Sequence, residues 1–176
     1  FFRFYEINSL VQEIAQSQFT YLRDCPAKLD IVLGDARRSL ELEAPQQFDL
    51  LAVDAFSGDS IPVHLLTREA FQQYFRHLKP DGILAIHISN RYLNLEGVVR
   101  LESQNLGKPA LLVADEGIQE AICSRSDWML IANNPVAFRA PQWKGPGPPS
   151  TLPANNRLWT DDYSNLLQTL KKPEIH

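Results

Sequence analysis

Apolar positions fall in short runs along this chain, and the runs alternate with segments where they recur at helical spacing. Residues 2–6, FRFYE, are aromatic-rich and strand-like and end on Glu6. Asn8 reads as the N-cap of a helix whose apolar positions Leu10, Ile14 and Phe19 keep roughly helical spacing. A second strand, LDIVLGD at 29–35, leads into the short helical stretch ARRSLELE. The third strand, FDLLAVDA, is apolar at four consecutive positions from Leu50 to Val53, the pattern of a strand covered on both faces in a parallel sheet. Thr67 then caps a helix in which Phe71, Tyr74, Phe75 and Leu78 form an amphipathic stripe, and KPDG ends that helix with a turn. The strand ILAIHIS at 83–89, a helix near 95–106, and the strands PALLVAD at 109–115 and DWMLIAN at 127–133 follow.

Strands alternating with helices predict an α/β fold with a mostly parallel sheet. The link before the last strand is short for a helical crossover, so that strand is expected to run antiparallel. Residues 135–157 shift to Pro, Gly and Asn and read as a surface excursion. RLWTDDYSNLLQTLKK closes the chain with a Thr-Asp-Asp cap and a short helix.

A length of 176 residues with 44% hydrophobic content predicts one globular domain over 1–176. The net charge of −4 gives no basic face for phosphate, so nucleic acid is not an expected partner. No apolar run approaches the roughly 20 residues of a bilayer span, so a cytoplasmic location is expected for the domain. Cys25 and Cys123 are too few for a disulfide framework and lack the paired spacing of a zinc site. His64, His77, His87 and His176 are scattered over different elements, so no metal is expected. The sequence contains neither a Gly-x-Ser-x-Gly elbow nor a Walker lysine loop.

The acids are informative by position. Glu6, Asp35 and Asp54 each fall at the carboxyl end of a predicted strand, the edge where open α/β sheets bind ligands. A carboxylate there offers two acceptor oxygens to a vicinal diol, as Glu6 would to a ribose. The simpler role for Glu6 is a strand-end acid beside the next helix, and for Asp35 an N-cap before ARRSL. An unpaired charge buried at Asp54 would cost several kcal/mol, which favours a functional role for it.

With these residues in place, FYEIN, IVLGDAR, FDLLAVDAF, LKPDGILAIHIS and WTDDYSNL resemble the class I S-adenosylmethionine-dependent methyltransferase fold, a Rossmann-like architecture. Within that fold they are similar to the spermidine synthase-like (polyamine aminopropyltransferase) family, and most of all to its bacterial members. The likeness covers roughly residues 2–133 and 158–167. It implies that Glu6 holds the ribose of decarboxylated S-adenosylmethionine or S-adenosylmethionine. It further implies that Asp35, with the backbone at Ala36, meets the adenine, and that Asp54 lies beside donor and amine as the first acid of an Asp-x-x-Asp loop. The substrate implied is a small cationic amine, and no metal is implied. Fusion to membrane segments and a homodimer are both compatible with the family.

The likeness departs from the family at two places. Ser57 stands where the second acid of the loop belongs, and Asp59 comes two residues later, either taking that acid's role or capping the turn. The fold's usual first strand and glycine-rich loop are not found in the chain, whose absence predicts a gap in the sheet between the strands that begin at 2 and 48. His87, at the end of ILAIHIS, either orients a substrate or is a satisfied strand histidine. Asp161 and Asp162 read as part of the last helix cap, and the resemblance puts Asp161 near the pocket rim. The expected activity is aminopropyl transfer, with methyl transfer or noncatalytic nucleotide binding in a larger membrane protein as alternatives.

Overall fold

The strands and helices follow the order read from the periodicity. The computed structural model describes residues 1–54, 62–115, 126–138 and 157–171. They divide into two compact units, Phe1–Ala44 and Pro45–His176.

In the first unit, β1 (Phe2–Glu6) pairs in parallel with β2 (Leu29–Leu33), in a register that sets Glu6 against Leu33. Helix α1 (Ser9–Gln18) begins where the Asn8 side chain accepts the Leu10 N–H at 3.0 Å, the cap read from the sequence. A short helix α2 (Tyr21–Asp24) returns the chain to β2, and α3 (Ala36–Leu42) follows that strand. Arg3 reaches across to Glu43 at 2.7 Å, and the Tyr5 hydroxyl donates to the same carboxylate at 2.8 Å. Burial, followed by the hydrogen bond and charge of Glu43, pushes the Tyr5 phenol well above its ordinary range. The helical period of α1 is correct, yet Leu10 and Ile14 stay exposed; Leu40 of α3 is the unit's buried apolar anchor.

In the second unit, β3 (Phe48–Val53), β4 (Leu78–His87), β5 (Ala110–Asp115) and β6 (Ser126–Ala132) form a sheet of order β3-β4-β6-β5. β3 and β4 are parallel, and β6 runs antiparallel to both β4 and β5, as the short link before it predicts. Helices α4 (Arg68–His77) and α5 (Glu96–Asn105) supply Phe71, Tyr74, Val98 and Val99 to a core with Leu84, Ile86, Met129 and Ile131. Burying each such side chain stabilises the fold by about 1.5–3 kcal/mol. The Tyr74 hydroxyl donates to the Leu65 carbonyl at 3.0 Å, so the ring is buried without leaving an oxygen unsatisfied. Ala85, Leu111 and Leu130 form a smaller cluster on the other face, flanked by Ile83, Trp128 and Phe138.

The strands thus form two sheets, β1 and β2 in one and the other four strands in the second. The α/β architecture with a mixed sheet and antiparallel last strand is the one read from the sequence. Among the described residues, no helix is long and apolar enough to cross a membrane.

Three expectations need correction. β3 is covered on one face only: Leu51 and Val53 are buried, whereas Leu50 is 59% exposed. An apolar run records that both faces tolerate apolar side chains, not that both are packed. KPDG does not end the helix with a separate turn, because β4 begins directly at Leu78. The pairing jumps from Phe48↔Leu78 to Leu50↔Ile83, which accommodates residues 79–82 as an irregularity inside the strand. A Cβ on Gly82 would lie 2.8 Å from the Phe48 carbonyl oxygen, so this close approach requires glycine. Finally, the closing helix is a single 3-10 turn, Leu166–Thr169, capped by Asn165 rather than by Thr160 or the neighbouring acids. Thr160 and Tyr163 instead exchange backbone hydrogen bonds at 2.8 and 3.1 Å around a tight turn.

Candidate functional site

Each unit places acids at the carboxyl ends of its parallel strands. In the first, Glu6 is the last residue of β1; its carboxylate accepts the Asn8 N–H at 2.8 Å through Oε1, while its carbonyl accepts the Gly34 N–H at 2.8 Å. Gly34 has φ of +140°, a backbone conformation that a side chain would strain, and it turns the chain from β2 into Asp35. Asp35 caps α3 by accepting the Arg38 N–H at 2.8 Å, and the Ser39 hydroxyl donates to its carbonyl at 2.9 Å. Ala36 is the first residue of that helix. Glu6, Asp35 and Ala36 therefore gather at one edge of the two-stranded sheet, and Asp35 performs the capping role that was one of its two readings.

In the second unit, Asp54 follows β3 directly. Its neighbour across the parallel pair is His87, the last residue of β4, because Val53 pairs with Ile86. The two side chains meet, with His87 Nδ1 2.8 Å from Asp54 Oδ1. A carboxylate only accepts, so this bond requires the proton on Nδ1. His87 pairs in turn with Trp128 of β6, and the two rings stack with centroids 4.9 Å apart and planes 27° from parallel. The Trp128 indole N–H donates to the Ser126 hydroxyl at 2.9 Å, and Ser89 Oγ accepts the Asp127 N–H at 2.7 Å.

Asp54 is therefore not the buried charge suggested by its place after an apolar run. Its side chain is 57% exposed, against 22% for His87. The exposure follows from the open Leu50 face of β3, and it removes desolvation as an argument for function. In its place stands a specific partner 33 residues away.

The segment 157–171 docks on the same unit. Trp159 is 3% exposed. Its carbonyl accepts the Arg68 N–H at 2.8 Å, and its N–H donates to Glu102 Oε1 at 3.2 Å. Asp161 accepts from the Thr67 hydroxyl at 2.8 Å, while its own N–H donates to Glu69 at 3.0 Å. The acid is thus tied to the residue that caps α4. Glu102 is fully buried with Oε2 unpartnered, and burial, with the nearby Glu69 charge, pushes its carboxyl up to about 7. Glu69 beside Arg68 is held below its ordinary value despite the opposing effect of burial.

Ser57, Asp59, Cys123 and His176 lie outside the described residues. His64 is exposed, and His77 is buried and stacked on Phe48 with centroids 6.5 Å apart. Among the described residues, no group of three or more His, Cys, Asp and Glu side chains gathers as a metal site would need. Sequence reasoning missed Glu102, Trp128 and Ser126. The signal for Trp128 was its place in the final antiparallel strand, which needed only the register to set it beside His87.

No family model matches the chain. It is 32% identical over 81 residues to a polyamine aminopropyltransferase of Vibrio vulnificus, a match covering 45% of this chain and 26% of that protein. It is also 34% identical over 86 residues to an N-terminal histidine N-methyltransferase of Emericella nidulans, covering 47% of this chain and 15% of that protein. The chain thus spans about a quarter or less of the length of these curated relatives. Among solved structures, a probable spermidine synthase from Corynebacterium glutamicum superposes with a TM-score of 0.55 at 18% identity, covering 74% of this chain and 46% of that one. Spermidine synthase from Thermotoga maritima superposes at 0.54 and 15% identity, covering 91% of this chain and 54% of that one. The resemblance read from the motifs is borne out, and the fold is the one these synthases share.

Proposed function

We propose that the chain is a transferase domain of spermidine synthase type, taking a nucleoside sulfonium donor and alkylating a small cationic amine. The observation that carries this reading is the Asp54 carboxylate at the end of β3, exposed to solvent and held at one oxygen by His87.

An alkylamine with a pKa near 10 is mostly protonated at neutral pH and cannot attack. Asp54 attracts the cation and takes the proton that nitrogen must lose. The nitrogen pair then forms the new N–C bond while the S–C bond breaks. Sulfur keeps the bonding pair, and the sulfonium becomes a neutral thioether. In the first unit, Glu6 fits a ribose, since Oε1 has a second lone pair after accepting the Asn8 N–H and Oε2 has no partner among the described residues. Asp35 and the backbone at Ala36, at the same sheet edge as Glu6, are assigned to the adenine in this reading. Ser57, Asp59, His87 and Asp161 complete the proposed acceptor side.

Aminopropyl transfer from decarboxylated S-adenosylmethionine to putrescine or a related amine tests the proposal. Turnover that falls about a hundredfold or more in Asp54→Asn is expected for loss of a general base. Absence of transfer by the wild-type protein to any amine tried would overturn it. A methyltransferase of the same fold is the second reading, favoured by the match to the histidine N-methyltransferase. Calorimetry with both donors separates the two, because preference for the carboxylated donor supports methyl transfer. A noncatalytic nucleotide-binding domain is the third reading, motivated by Ser57 at the second acid's place; turnover abolished by Asp54→Asn in a folded protein would exclude it.

A further inference from the structure

His87 lies at the centre of a row that crosses three strands on one face of the sheet. Asp54 follows β3, His87 ends β4, and Trp128 is its partner on β6. The imidazole is held from one side by the indole stack and gives its Nδ1–H to Asp54 on the other. An exposed aspartate at a strand end otherwise samples several rotamers and presents either oxygen to an incoming amine. Here Oδ1 has a fixed donor, and Oδ2 has no partner among the described residues. The geometry divides the carboxylate into an anchored oxygen and a reactive one.

We infer that His87 is a positioning residue that fixes the Asp54 carboxylate for proton removal from the acceptor amine, with Trp128 holding the imidazole in place. The inference rests on the transferase reading for its consequence, but the hydrogen bond has a signature of its own. Neutral histidine in water carries its proton mainly on Nε2, and a bond to a carboxylate through Nδ1 inverts that preference.

The test compares variants in amine transfer and reads the His87 tautomer by nitrogen NMR. His87→Ala is expected to lower kcat/KM for the amine by about 10–100-fold, the worth of one charge-assisted hydrogen bond, with donor affinity unchanged. His87→Asn places an amide N–H near the position of Nδ1 and should recover activity to within about threefold of wild type, whereas His87→Gln displaces the donor and should not. Equal activity in His87→Ala and wild type would overturn the inference, as would recovery by Gln and not by Asn. In the wild-type spectrum the neutral ring should carry its proton on Nδ1, and in Asp54→Ala it should revert to Nε2. A wild-type ring protonated on Nε2 would also overturn it. If wild type transfers to no amine, the transferase reading fails while the tautomer still decides whether His87 holds Asp54.

Discussion

Replacing Glu102 with Gln should stabilise the protein, and only above a defined pH. The carboxyl is fully buried between α5 and the docked segment at Trp159 and faces Glu69 and Arg68. Burial is the main reason it rises from 4.5 to about 7. At about 1.4 kcal/mol for each tenfold change, that displacement corresponds to about 3 kcal/mol. Below about pH 4.5 the group is protonated whether the chain is folded or not, and it contributes no pH dependence. As pH rises from about 4.5 to about 7, the unfolded chain releases the proton while the folded chain retains it, so stability falls. Above about 7 both forms are ionised and the full loss persists. Glutamine keeps a carbonyl for the Trp159 N–H and cannot ionise. The difference in Tm between Glu102→Gln and wild type should therefore be small near pH 4.5 and grow to roughly 6–12 °C near pH 8. Calorimetric melts at the two pH values measure it, and titration of other groups cancels in the comparison. A Tm difference that does not change with pH would refute the argument.

Other expectations follow from packing and caps. Leu84 is fully buried between helices and sheet, and Leu84→Ala should cost about 2–5 kcal/mol in denaturant unfolding. Gly82→Ala forces a Cβ against the Phe48 carbonyl and should cost about 1–3 kcal/mol, visible as a lowered denaturation midpoint; an unchanged midpoint would mean the strand irregularity yields freely. Thr67→Ala removes both the α4 cap and the contact to Asp161, so a loss of about 1 kcal/mol is expected, together with faster proteolysis near residue 160.

What the sequence revealed depended on how local the cause was. The Asn8 and Thr67 caps and the α4 stripe are set by neighbours within one or two turns, and they were legible. The antiparallel final strand was legible because a short link excludes a crossover. The covering of β3 was not, since side-chain identity does not report what packs against it. Glu102 looks like any helical glutamate, and its burial comes from Trp159, 57 residues away. Asp54 and His87 were both singled out, but only the parallel register of β3 and β4 shows that they form one pair. Asn165 lost to the more obvious Thr-Asp-Asp because the preceding residues fold back as a turn.

The docking of residues 157–171 also bears on the order in which the molecule assembles. The bond from Thr67 to Asp161 closes a separation of 94 residues, and those from the 92–94 backbone to Thr169 and Lys171 close nearly as much. Closing such loops costs entropy that no local contact repays until α4 and α5 already offer Thr67, Glu69 and Glu102 as a formed surface. The terminal segment is therefore expected to settle last and open first. Its amides should exchange with solvent by a local route, while those of β4 and β6 wait for global unfolding.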